Sequence, residues 1–112
     1  MVDRVGQNLE RYMDLLSARQ KLVAGNLANA DTPGYKTRDI DFQFEYMSAL
    51  GGEPPDPIEV PGLASRNDGN NVSLDRESRL LAENALRFNV AANLMKSQMR
   101  MLRVAIQEGR SS

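Results

Sequence analysis

Leu74-Asp75-Arg76-Glu77-Ser78-Arg79-Leu80-Leu81-Ala82-Glu83-Asn84-Ala85-Leu86-Arg87-Phe88-Asn89-Val90-Ala91-Ala92-Asn93-Leu94-Met95-Lys96-Ser97-Gln98-Met99-Arg100-Met101-Leu102-Arg103-Val104-Ala105-Ile106 is the stretch that decides the fold. Leu74, Leu81, Phe88, Met95 and Leu102 recur every seven residues, and Ala85, Ala92, Met99 and Ile106 repeat with the same period. That is the pattern of a long helix with an a/d seam. At 100° per residue, Leu86, Val90, Leu94, Met101 and Val104 fall on the reverse side. A helix with one apolar face suits a small monomer. A helix with two is sandwiched, and a chain of 112 residues has few other elements to cover both. The pattern predicts a subunit of an assembly.

The rest of the chain supplies one partner for this helix. Leu9, Leu16 and Val23 are spaced by seven in an amino-terminal helical segment, and Asp31-Thr32-Pro33-Gly34 stops it. The segments fall into an N-terminal helix with its turn (1–34), a connector (35–72) and a C-terminal helix (73–112). Ser73 is the expected N-cap of the last, Asp75 and Glu77 sit where the helix dipole favours anions, and Gly109 is expected to end it. The lengths are about 43 Å and about 50 Å at 1.5 Å per residue. The expected fold is all-α: two long terminal helices in an antiparallel coiled-coil hairpin, with a largely irregular Pro/Gly-rich connector. The predicted seam is Leu9, Leu16 and Val23 against Leu81, Phe88, Met95 and Leu102. Leu86, Val90, Leu94, Met101 and Val104 are left as an assembly face.

In the connector, Asp39 to Phe44 alternates polar and apolar residues, Glu45 to Leu50 has room for one helical turn, and Ile58-Glu59-Val60 for a brief strand. Gly51-Gly52-Glu53-Pro54-Pro55-Asp56-Pro57 reads as an extended linker, and Arg66 to Asn71 as a turn cluster. The zone is expected to be largely disordered in the free subunit.

Composition narrows the chemistry. Fourteen basic against fifteen acidic residues give no basic excess for nucleic acid. Cysteine and histidine are absent, which removes thiolate chemistry, the commonest metal ligand and the usual general base. Asp39/Asp41 and Asp75/Glu77 are the only carboxylate pairs of interest, and a flexible stretch and a helix cap explain them better than catalysis does. Asp68-Gly69-Asn70 lacks the spacing of a calcium loop. No enzyme, cofactor, metal or small-molecule substrate is expected. No apolar run approaches the ~20 residues of a membrane span, and the first residues lack the apolar core of a Sec signal.

Asn26-Leu27-Ala28-Asn29-Ala30-Asp31-Thr32-Pro33-Gly34-Tyr35-Lys36 is the most distinctive local sequence. A helix end followed by a turn accounts for it. A sharper reading makes Asn26 and Asn29 interface groups, since burying them beside an apolar stripe demands partners. Both readings stand on the residues alone.

This stretch, with Leu15 to Leu22 before it and Arg38-Asp39-Ile40-Asp41-Phe42 after it, resembles the bacterial flagellar axial proteins, and among them the basal-body rod family. Leu81 to Phe88 and Met101 to Gly109 resemble that family's C-terminal helix. Asn26, Asn29, Thr32, Pro33, Gly34 and Tyr35 form its signature turn. The resemblance implies a structural subunit of the proximal rod that spans the periplasm, exported by the flagellar type III apparatus without a Sec signal. It further implies self-association and contacts with FlgC-like rod proteins and a FliE-like adaptor. A cytosolic coiled-coil adaptor or export chaperone is the alternative.

Overall fold

The computed structural model describes residues 2–48 and 53–111. The elements in chain order are α1 (Val2–Ala28), β1 (Arg38–Asp39), α2 (Phe42–Met47), β2 (Ile58–Glu59) and α3 (Leu74–Ser111). The molecule is a rod of 72 × 26 × 17 Å. Two long helices dominate it, as the periodicity predicts.

The helices run antiparallel. Gly6 lies beside Gln98, Gln20 meets Asn84, and Asn26 meets Glu77. α3 is the longer helix, so its last turns extend past the start of α1 with no helix opposite among the described residues. Ser73 caps it as expected, its hydroxyl accepting the Arg76 N–H at 3.2 Å. Gly109 does not end it. The helix continues to Ser111, because glycine only weakens a helix by about 1 kcal/mol and Gly109 does not take the left-handed φ of a C-cap.

The connector is more ordered than its composition predicts. Alternation from Asp39 to Phe44 yields only two residues of strand, β1, which pairs antiparallel with β2 in the register Arg38↔Glu59 and Asp39↔Ile58. The strand stops there because Asp41 turns the chain into α2: its carboxylate accepts the Phe44 N–H at 3.1 Å as an N-cap. Ala49 and Leu50 of the expected turn, and Gly51 and Gly52 of the expected linker, lie outside the described residues. Tyr12 of α1 meets Phe42 and Tyr46 of α2 edge-on, with ring centroids 5.5 and 6.1 Å away.

The α3 half of the predicted seam needs correction. On α1, Leu16 and Val23 are buried and Leu9 is half-buried. On α3 the buried line is Glu77, Asn84 and Ala91, again seven apart. Met95 is half-buried, but Leu81, Phe88 and Leu102 are each about two-fifths exposed. Each lies four residues from the true contact line or its continuation, a rotation of roughly 40° about the helix axis. Two polar contacts set that rotation: Glu77 turns inward to Asn26, and Asn84 to Gln20. Ala91, next on the same line, is buried as well.

The resulting core is unusual in composition. Among the described residues its buried apolar side chains are Leu15, Leu16, Val23, Ile40, Val72 and Ala91. Its buried polar ones are Asn26, Thr37, Asp39, Asn70, Asn71, Glu77 and Asn84. Polar groups buried in this number must be paired, and their pairing defines the site.

Candidate functional site

Asn26 is the centre of the polar cluster. Its amide nitrogen donates to the Arg38 carbonyl at 2.8 Å and to Glu77 Oε2 at 3.1 Å. Its amide oxygen accepts from the Tyr35 hydroxyl at 2.9 Å and from the Arg38 N–H at 3.1 Å. All four hydrogen-bonding positions of the side chain are filled. Alanine here would orphan groups on the turn (Tyr35), β1 and α3 at once.

Two arginines and two carboxylates extend from this centre. Glu77, fully buried, accepts from Arg76 Nη1 at 2.6 Å. Arg76 Nη2 donates to Asp39 Oδ2 at 2.6 Å. Arg19 reaches the same carboxylate from α1 in a fork, Nε to Oδ1 at 3.0 Å and Nη2 to Oδ2 at 2.9 Å. Asp39 Oδ1 also accepts the Ile40 N–H at 2.8 Å. The formal charges cancel, which is the condition for holding them out of water. Burial pushes the Asp39 carboxyl up, but the Arg19 fork, the Ile40 N–H and Arg76 outweigh it and hold the group below its ordinary value. A depressed carboxyl stabilises the fold above its unfolded pKa, and that stability is lost as pH falls through the folded value. Acid titration followed by far-UV circular dichroism should therefore show loss of structure below about pH 4, and Asp39→Asn should flatten that part of the curve.

The signature turn is fastened by the end of the connector. Gly34 and Gly69 both have positive φ, 75° and 85°. A Cβ on Gly69 would lie 3.4 Å from the Gly34 Cα, in ordinary contact, so the left-handed backbone is what calls for glycine at both positions. The Gly34 N–H donates to the Asp68 carbonyl at 2.8 Å. Asn70 spans the turn, its amide donating to the Asn29 and Thr32 carbonyls, each at 2.9 Å, while its oxygen accepts the Val72 N–H at 2.8 Å. Asn71 Oδ1 accepts the Thr37 N–H at 2.6 Å. Arg66 donates to the Ala30 carbonyl. Asn29 folds back on its own helix, donating to the Gly25 carbonyl at 2.8 Å, and takes the Thr32 hydroxyl at 3.0 Å. Pro33 is exposed.

The predicted signature residues Asn26, Asn29, Thr32, Gly34 and Tyr35 are thus brought together by hydrogen bonds. Asn26 is buried as the sharper reading requires, but its partners lie within the chain. Sequence reasoning missed Arg76, and took Asp39, Glu77, Asn70 and Asn71 for linker, cap and turn. The signal available was the coincidence of five asparagines and paired opposite charges at the two ends of the connector. The carboxylates weighed for catalysis are spoken for: Asp41 caps α2 and Asp75 pairs with Arg79 at 3.3 Å. Asp39 and Glu77 are saturated with donors. This arrangement holds chain segments together and offers no poised base.

The second feature is a pair of apolar flanks along α3, one on each side of the contact line. On one side Leu86, Val90, Leu94, Met101 and Val104 are 65, 52, 54, 68 and 52% exposed. Of these, Leu86, Val90 and Leu94, with Val5, Leu9, Tyr12 and Tyr46, border a groove of about 520 Å³. The other side carries Leu81, Phe88, Met99, Leu102 and Ile106, all exposed. The back of the helix between the flanks is polar, with Asn89, Asn93, Lys96 and Arg100. Apolar strips of this length are uncommon on a protein that works alone.

The chain is similar to known flagellar rod proteins. The profile of the family described as "Flagella basal body rod protein" matches residues 12–36, the second half of α1 and the signature turn. The flagellar basal body rod protein FlgB of Salmonella typhimurium strain LT2 is 29% identical, over 97% of this chain and 99% of its own length. That of Escherichia coli strain K12 is likewise 29% identical, over 97% and 99%. The FlgB of Borreliella burgdorferi is 24% identical over 87% of this chain and 91% of its own.

Proposed function

We propose that this chain, which belongs to the flagellar basal-body rod proteins and is a structural subunit of that rod, polymerises through its terminal helices and transmits torque through the contacts so made. The exposure of both flanks of α3 carries the reading. A lone helix pair leaves Leu94, Met101 and their neighbours wet, at about 25 cal/mol per Å² of apolar surface. Packing between neighbouring subunits covers them. Helices sharing flanks at native density resist compression and bending, which a shaft requires.

In this reading the pair behaves as an antiparallel coiled-coil hairpin with a polar lock at one end. Leu86, Val90, Leu94, Met101 and Val104 form one assembly face. Leu81, Phe88 and Leu102, predicted for the internal seam, help to form the other. The signature turn is an architectural element that fixes where the hairpin closes. The chain has no catalytic role. Its neighbours are other rod subunits, of the FlgC type, and a FliE-like adaptor, and it reaches them through the type III export apparatus. Assembly also orders whatever remains loose in the free subunit, since burying a second flank offsets the backbone entropy of ordering.

Basal bodies purified from cells carrying an epitope-tagged copy test the placement. The tagged chain should co-sediment with the basal body and resist salt extraction. Recovery as a small soluble oligomer in the cytosol would favour an adaptor or chaperone and overturn it.

A further inference from the structure

We infer that the Asn26–Asp39–Arg76–Glu77 cluster is a register lock that stops α3 from sliding one heptad along α1. The inference is independent of the rod assignment. It starts from the contact stripe of α3, where Glu77, Asn84 and Ala91 are buried and Gln98, one heptad on, lies beside Gly6. Apart from Glu77, these are small or uncharged residues. Against them α1 presents Leu16, Gln20 and Val23, which a heptad shift would match to similar partners. Packing alone therefore specifies rotation better than axial position.

The slide has one open direction. The connector is tied to the signature turn through Asn70 and Asn71, so α3 cannot move away from its own start. It can be drawn in by seven residues, about 10 Å, with residues 74–80 looping out. Asn84 then takes the place of Glu77 beside Asn26, and Ala91 comes opposite Gln20. The slide is favoured by cover: Leu102 and Ile106, which border Gly6, Gln7 and Glu10 at the tip of α1 and stay 42 and 51% exposed, move further along that helix.

Charge opposes it. Glu77 and Arg76 leave together. Asp39 keeps Arg19 but loses Arg76, and Asn26 loses a carboxylate acceptor for which the neutral Asn84 is a poor replacement. Only the native register sets Asp39 between two arginines and gives Asn26 a charged acceptor. A buried polar contact that fixes register at some cost in stability is the best-attested use of such groups. The lock also sets how much of α3 projects beyond α1, and so the length of helix offered to anything that binds there.

The chain has no cysteine, so introduced pairs report register cleanly. Gln20→Cys with Asn84→Cys bridges the native register, and Gln20→Cys with Ala91→Cys bridges the slipped one, since a disulfide forms only between Cα atoms within about 7 Å. In the parent chain under mild oxidation the first pair should close and the second should not. In Asn26→Leu/Glu77→Leu, which replaces the polar contact by apolar side chains, bridging of the 20/91 pair should rise at least tenfold while far-UV circular dichroism stays helical. Closure of the 20/84 pair alone in that background overturns the inference. Should the leucine pair melt the helices, the gentler Glu77→Gln decides by the same two bridges, and native-only closure there overturns it equally.

Discussion

Replacing Asp39 by alanine should cost about 3 kcal/mol, the scale of breaking a buried ion pair by removing one partner. The side chain accepts from both arginines and from the Ile40 N–H. Its loss leaves two guanidiniums facing one another with only Glu77 between them to neutralise one. Both arginines keep about a fifth of their side chains in water, which tempers the penalty. Thermal unfolding should fall by more than about 10 °C, on the usual scale of 4–8 °C per kcal/mol for a domain near this size. Arg19→Ala combined with Asp39→Ala should cost clearly less than the sum of the singles, because the first removes one of the orphaned charges. A drop below about 1 kcal/mol for Asp39→Ala, measured by urea titration, would mean that water enters the cluster and pays its solvation.

The second large effect is on assembly. Leu94→Asp should leave the folded subunit nearly unchanged, since half of that side chain is already exposed and surface changes fall within about 0.5 kcal/mol. In the rod it places a carboxylate on an otherwise apolar strip between Val90 and Met101. Burying an unpaired charge there costs several kcal/mol, beyond the loss of the leucine's own ~2 kcal/mol. At 1.4 kcal/mol per factor of ten, association falls by three orders of magnitude or more. Incorporation into basal bodies and swimming should both be lost. Leu94→Met, similar in volume and apolarity, should retain both. Motility in the aspartate variant would show that this flank meets no neighbour.

The two helices and their antiparallel pairing were readable because a seven-residue apolar period leaves few alternatives. Leu16 and Val23 went inside as their spacing required. The facing residues of α3 were not readable from apolarity, because the contact line is Glu77, Asn84 and Ala91, none of which is a large hydrophobe. A pattern search weights leucine and phenylalanine, and here those residues flank the contact. Asp39 and Glu77 were assigned to local roles because each has a sufficient one, at a strand and at a helix start. Their joint role needs Arg19 and Arg76 in the same place, and those four residues lie up to 58 positions apart in the chain. Pro54, Pro55 and Pro57 correctly marked their own stretch as non-helical, but composition does not reveal that Asn70 would find the Asn29 and Thr32 carbonyls. The exposed face of Leu86, Val90 and Leu94 was the most legible feature, since two greasy sides on one helix cannot both be hidden by a single partner.

The unequal fastening of the helix pair has a mechanical consequence. Charges and asparagines rivet it where α1 ends and α3 begins, whereas toward the far tips, among the described residues, no side chain of α1 before Leu15 and none of α3 after Ala91 is buried. Such a body works like tongs, with a stiff fulcrum and compliant jaws, and the jaws are where it can conform to whatever it grips.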